Sequence, residues 1–130
     1  ISAIPAAKEN FTYLAGKWSV KMIFIHLIDT ERFYAYRALS SSRQVDISLE
    51  FDQDGYALHA NTENRTLKDI AEEFLAVRHS MISLFSNMTI EMLDYKGFPG
   101  KMVYTSRSLG WMTAGHNIHH CNIIREKYLH

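Results

Sequence analysis

His116 and His120 stand four residues apart in a stretch with helical periodicity. At that spacing both rings leave one face of a helix, with Cβ atoms about 5–6 Å apart, so the pair can hold a single cation. The zinc-binding His-x-x-x-His pair of metalloproteases uses the same spacing. Here the intervening residues are Asn117, Ile118 and His119, so the glutamate that would act as general base is missing and the protease reading fails. A third ligand has to come from another element, and His26, on the inward stripe of an earlier helix, is the residue available. Three neutral imidazoles with an open position are the pattern of a catalytic metal site, whereas structural zinc sites are closed and richer in cysteine. Asp29, one turn beyond His26, is placed to orient a ligand or move a proton. It is equally placed to pair with Arg32 or Arg37. Other readings stay open at this point. The His pair can be two plain helix histidines, and His26 a hydrogen-bonded core residue. His119 points off the shared face, and His59, His79 and His130 read as surface residues. Cys121 reads as a small apolar filler, and Trp18 and Trp111 as core.

Three long helical patterns must position these residues. The first covers about residues 19–39, with Ser19 as N-cap. Its stripes are Met22, His26, Asp29, Phe33, Tyr36 and Ile23, Leu27, Thr30, Tyr34, Ala38, so a broad face is buried. Glu31 is expected to point outward, toward an Arg. The second pattern covers about residues 66–88 and opens on Thr66 and Asp69 at capping-box spacing. Its seam of Leu67, Ile70, Phe74, Val77, Met81, Leu84 and Met88 reads as bundle core, opposite a solvated face of Lys68, Glu72, Glu73 and Arg78. The third covers about residues 106–129, with one stripe of Leu109, Met112, His116, His120, Ile123 and another of Trp111, Ala114, Ile118, Cys121, Tyr128. Gly115, just before His116, is a place where a helix or ligand can approach closely. Residues 40–65 read as a long loop, with a weak strand pattern over 45–51, and residues 95–101 as turn material. Residues 1–14 have room only for a helix end before Pro5 and a connection. Faces this wide close most naturally in a four-helix bundle, so a first helix is expected to be missing from the chain.

Composition narrows the class. The 130 residues suit one domain spanning 1–130, with 47% apolar and 22% charged residues. Fourteen Lys and Arg balance fourteen Asp and Glu, and no basic stripe appears, which argues against nucleic-acid binding. One cysteine rules out an internal disulfide. No apolar run is long enough to cross a membrane. A cytoplasmic location is expected.

Several motifs occur in a familiar order. Gly16-Lys17-Trp18-Ser19-Val20 leads into His26-Leu27-Ile28-Asp29-Thr30-Glu31-Arg32 and Tyr36-Arg37-Ala38-Leu39. Phe51-Asp52-Gln53-Asp54 and Glu73-Phe74-Leu75-Ala76-Val77-Arg78 follow, then Ala114-Gly115-His116-Asn117-Ile118-His119-His120 and Ile123-Ile124-Arg125-Glu126-Lys127-Tyr128-Leu129. Over about residues 15–129 this resembles the DinB-like superfamily, in the branch with "HLxDxER" and "GHxxHH" signatures. The resemblance implies an all-α four-helix bundle, its first helix largely absent here, with one divalent metal on His26, His116 and His120. Nickel and zinc are the common metals in such proteins, imidazole suits several ions, and homodimers are common. The family's Ala-Arg-Gly-Asp run is replaced here by Ser41-Ser42-Arg43-Gln44-Val45-Asp46.

The expected function is therefore a divalent-metal-dependent enzyme acting on a small-molecule substrate. Relatives suggest a thiol-dependent S-transferase, using a low-molecular-weight thiol as cosubstrate, or a hydrolase. The alternative is a non-catalytic metal-binding, sensor or structural bundle protein.

Overall fold

The computed structural model describes residues 1–47, 49–97 and 102–129. Its long elements are α1 (Val20–Ser42), α3 (Leu67–Ser86) and α5 (Ser106–Lys127), with the short helices α2 (Gln53–Leu58) and α4 (Ile90–Asp94) between them. Among the described residues there is no strand, only an isolated antiparallel bridge between Gly97 and Tyr104. The fold is all-α, as expected. The strand pattern over 45–51 does not become one among the described residues: residue 48 lies outside them, and the Leu49 carbonyl accepts from Arg37 Nη2 at 2.7 Å. Of the turn segment 95–101, residues 98–101 also lie outside the described residues, as does His130.

Each long helix starts where its capping chemistry says it should. Ser19 Oγ accepts from the backbone N–H of Met22 at 3.3 Å. Thr66 and Asp69 complete a reciprocal capping box, with Thr66 Oγ1 taking the Asp69 N–H and Asp69 taking the Thr66 N–H. The third helix is capped the same way by Thr105 and Ser108, a signal the residue pattern hid because Ser at the fourth position is an unusual partner. The segment 40–65 is more ordered than a loop. Asp52 Oδ1 accepts from Gly55 N–H at 3.1 Å and starts α2, which at six residues is too short to show a period. A single 3-10 turn, Ala6–Lys8, follows Pro5 near the start.

The central element is α1. Val20, Ile23, Phe24, Ile25, Leu27 and Ile28 are buried together with Ile70 of α3 and Ile124 and Tyr128 at the end of α5. A helix apolar on nearly all sides has to be covered on nearly all sides, and α1 is flanked by both α3 and α5. Each large side chain so covered contributes about 1.5–3 kcal/mol. Ala38, Tyr104 and Leu109 form a second, smaller cluster at the other end.

That central position overturns three expectations. Glu31 does not point outward. It is 1% exposed and accepts two hydrogen bonds from Arg78, Nε to Oε1 at 2.6 Å and Nη2 to Oε2 at 2.9 Å. The supposed solvated face of α3 is correspondingly split. Lys68 and Glu72 are exposed, but Arg78 reaches Glu31, and Glu73 bridges Arg32 and Arg65. Trp111 is not core but 75% exposed: α4 meets α5 one turn earlier, through Asp94 and Arg107, and leaves Trp111 uncovered. The α3 seam is likewise only half-buried outside Ile70 and Met81.

Gly115 is not a point of close approach: a Cβ there would meet nothing within 4 Å. The crowded glycine is Gly110, where a Cβ would lie 3.1 Å from Cε1 of Phe85 on α3.

Candidate metal centre

The three histidines singled out from spacing meet in space. His26 comes from the buried first half of α1, His116 and His120 from successive turns of α5, and the packing of these two helices joins them. His26 Nε2 lies 3.1 Å from His116 Nε2, and His120 Nε2 lies 3.0 Å from the same atom. One ligand atom from each ring falls within 4.8 Å of the others. His26 is 4% exposed, and the other two are half-buried.

The donor set fits a cation. His116 Nε2 faces two other ring nitrogens, and one nitrogen carries either a proton or a lone pair. Hydrogen bonding among the rings therefore leaves a conflict that a shared cation removes. Two metal–nitrogen bonds of about 2.0–2.1 Å, at angles between square and tetrahedral, place nitrogens about 2.8–3.4 Å apart, and both separations from His116 Nε2 fall in that range. Burial is the main reason that His26 titrates at about 4, with the charges of His116 and His120 adding to it. His120 is likewise held at about 4, by burial and then by His116 and His119. His116 is lowered too, by burial and then by His119. Each shift favours the neutral ring, the form a metal needs.

The remaining site residues divide clearly. Asp29 is half-buried and its Oδ1 meets Arg32 Nη1 at 3.4 Å. Burial raises its carboxyl above the usual value, with Arg32 pulling the other way. His119 packs edge-on against His120 at 5.1 Å but stays outside the group. His59 is exposed and lies 2.8 Å from the Gly55 carbonyl through Nδ1, and His79 is exposed. Three residues around His26 were not foreseen in this role. Trp18 is tilted by 49° to its ring with centroids 4.8 Å apart, Phe51 is parallel to it at 6.2 Å, and Thr30 Oγ1 lies 3.5 Å from its Nδ1. Thr30 was findable as the residue one turn after His26. Phe51 was not, because it arrives from a connection without a period. Beside His120 opens a cleft of about 270 Å³, lined in part by Tyr13, Lys17, Trp18, Asp54 and Tyr128. Tyr128 closes one wall by donating its O–H to the Trp18 carbonyl at 2.8 Å.

A bundle built on two histidine-bearing helices with one partly buried three-histidine group defines a class. The profile described as the DinB superfamily matches residues 1–124, and the chain belongs to that family. It is similar to a solved structure described as "YfiT from Bacillus subtilis is a probable metal-dependent hydrolase with an unusual four-helix bundle topology". The TM-score is 0.77 at 15% identity, over 97% of this chain and 76% of that one. This likeness establishes the fold. No curated protein matches the chain.

Proposed function

We propose that the protein is a divalent-metal-dependent enzyme acting on a small molecule, with His26, His116 and His120 as the ligands and nickel or zinc as the metal. The observation that carries this reading is the convergence of three Nε2 atoms of neutral imidazoles. YfiT, described as a probable metal-dependent hydrolase, supports it by analogy. A cation held by three imidazoles supplies Lewis acidity at an open position, where a thiol or a water gives up its proton more readily.

The chain's own residues do the rest. Trp18 and Phe51 keep water from the His26 side. The cleft beside His120 seats the substrate, and Lys17 and Asp54 offer it one charge of each sign. Asp29, its carboxyl raised by burial, is the candidate for proton transfer. Reaction with a low-molecular-weight thiol and hydrolysis are the two activities to separate. We place the protein in the cytoplasm and read it as a homodimer. The second of these is supported by apolar side chains left uncovered on α3 and α5, namely Leu75, Ile82, Trp111 and Ile118.

The test is elemental analysis of protein purified without a histidine tag. We expect close to one nickel or zinc per chain, lost in His116→Ala and His120→Ala. Unchanged metal content in both variants would sink the site. With cobalt in place of the native metal, a spectral change on adding glutathione supports thiol transfer. Turnover of an ester panel without thiol supports hydrolysis. Metal without turnover of either kind returns the protein to the non-catalytic alternative.

A further inference from the structure

All three converging atoms are Nε2. To offer a lone pair there, each neutral ring must carry its proton on Nδ1. His120 Nδ1 is buried with no hydrogen-bond partner among the described residues. His26 differs. Its Nδ1 lies 3.5 Å from Oγ1 of Thr30, four residues further along α1, and Thr30 is 4% exposed. A buried threonine in mid-helix ordinarily turns its hydroxyl back to the carbonyl one turn earlier. Thr113 does so, donating to Leu109 O at 2.9 Å. Thr30 instead holds its oxygen against an imidazole.

The neighbours of His26 show why that contact matters. Its aromatic neighbours are Trp18, tilted by 49° at 4.8 Å, and Phe51, parallel at 6.2 Å. Apolar contacts of this kind do not distinguish the two edges of an imidazole. A half-turn about Cβ–Cγ would present the same faces while carrying Nε2 away from His116. A polar atom at Nδ1 breaks that equivalence. The adjacent carboxylate does not supply it, since Asp29 is engaged with Arg32.

We propose that Thr30 is a positioning residue of the metal centre. Its hydroxyl accepts the Nδ1–H of His26, which holds both the tautomer and the ring edge that turn Nε2 toward His116 and His120. The inference builds on the metal-centre reading, but its first test needs no metal.

The experiment compares wild type with Thr30→Val, which keeps the shape and removes the hydroxyl, and Thr30→Ser, which restores it. Metal-free protein labelled with ¹⁵N-histidine is examined by imidazole ¹H–¹⁵N correlation, with His26 assigned through His26→Gln. Wild type and Thr30→Ser should show the Nδ1–H tautomer at His26, and Thr30→Val should lose it. In the second measurement, chelator competition with zinc, Thr30→Val should bind about 10–100-fold more weakly, with Thr30→Ser near wild type. A merely structural role for Thr30 would change melting temperature without moving the tautomer. An Nδ1–H signature and a zinc affinity both unchanged in Thr30→Val would overturn the assignment and leave the metal centre standing. Wild type that takes up no zinc would overturn the metal-centre reading, while the tautomer still decides the role of Thr30. If Thr30→Val does not fold, the wild-type spectrum decides, since an Nε2–H tautomer at His26 refutes the proposal.

Discussion

At His26, His116 and His120 the burial that gathers three nitrogens also keeps them neutral, so the site is prepared for a cation but poorly suited to protons. This makes stability depend on pH. An unfolded imidazole protonates near 6.5, while His26 and His120 in the folded protein hold out to about 4. Below 6.5 the unfolded chain therefore binds protons that the folded chain refuses. The metal-free protein should be fully stable above pH 6.5 and weaken as pH falls toward about 4. Urea midpoints taken between pH 7 and 5, above the carboxylate range, check this. The slope should shrink in His120→Asn, and a midpoint indifferent to pH over that window would contradict the assigned burial of the rings.

At the scale of elements, α1 is joined to its neighbours by specific contacts whose removal has a predictable sign. Arg78 satisfies both oxygens of the buried Glu31 and so ties α3 to α1. Arg78→Ala leaves that carboxylate buried and unpaired, at a cost of about 2–3 kcal/mol. This is somewhat below the loss for a wholly buried pair, because Arg78 is 34% exposed. Chemical denaturation measures it, and Arg78→Lys should recover only part, since one ammonium cannot bond both oxygens in parallel. The two α5 glycines should behave differently. Gly115→Ala fills open space on a helix and should add about 0.5–1 kcal/mol. Gly110→Ala meets Phe85 at 3.1 Å and should fall short of that gain. Equal melting temperatures for the two variants would refute this account of the α3–α5 approach.

For the molecule as a whole, the described helices cover α1 far better than they cover one another. Leu75 and Ile82 lie seven residues apart on α3, as do Trp111 and Ile118 on α5, and all four are more than half exposed. An apolar groove of about 190 Å³, lined by Met81, Ile82, Phe85, Gly110 and Ala114 among others, runs between the two helices. Exposed apolar side chains beside an apolar groove are the kind of surface a partner covers. If it joins two copies, sedimentation velocity should show a concentration-dependent dimer that Trp111→Ser with Ile118→Ser weakens. A monomer at all concentrations would end the homodimer reading. No described helix is long and apolar enough to cross a membrane.

What was legible in the residues was what depends on near neighbours. The three long helices, the caps at Ser19 and Thr66, and the placing of His116 and His120 on one face follow from spacings of three and four. Even His26 was within reach, as a polar ring on an apolar stripe. Short α2 and the cap at Thr105 escaped, because six residues carry no period and Ser108 is a weak signal. The rest was decided by which helix lies against which. Glu31 and Arg78 both looked solvated, and Trp111 looked buried, because a stripe shows that a face is apolar but not whether another helix covers it. The tertiary structure surrounds α1 and leaves the far sides of α3 and α5 open. The same packing sets the distances of 3.0 and 3.1 Å among the histidine nitrogens and brings Phe51 from a distant connection to 6.2 Å from the ring of His26, parallel to it. Periodicity along one helix is local, whereas the contact of α1 with α5 joins residues about ninety positions apart, and only the packed core determines that approach.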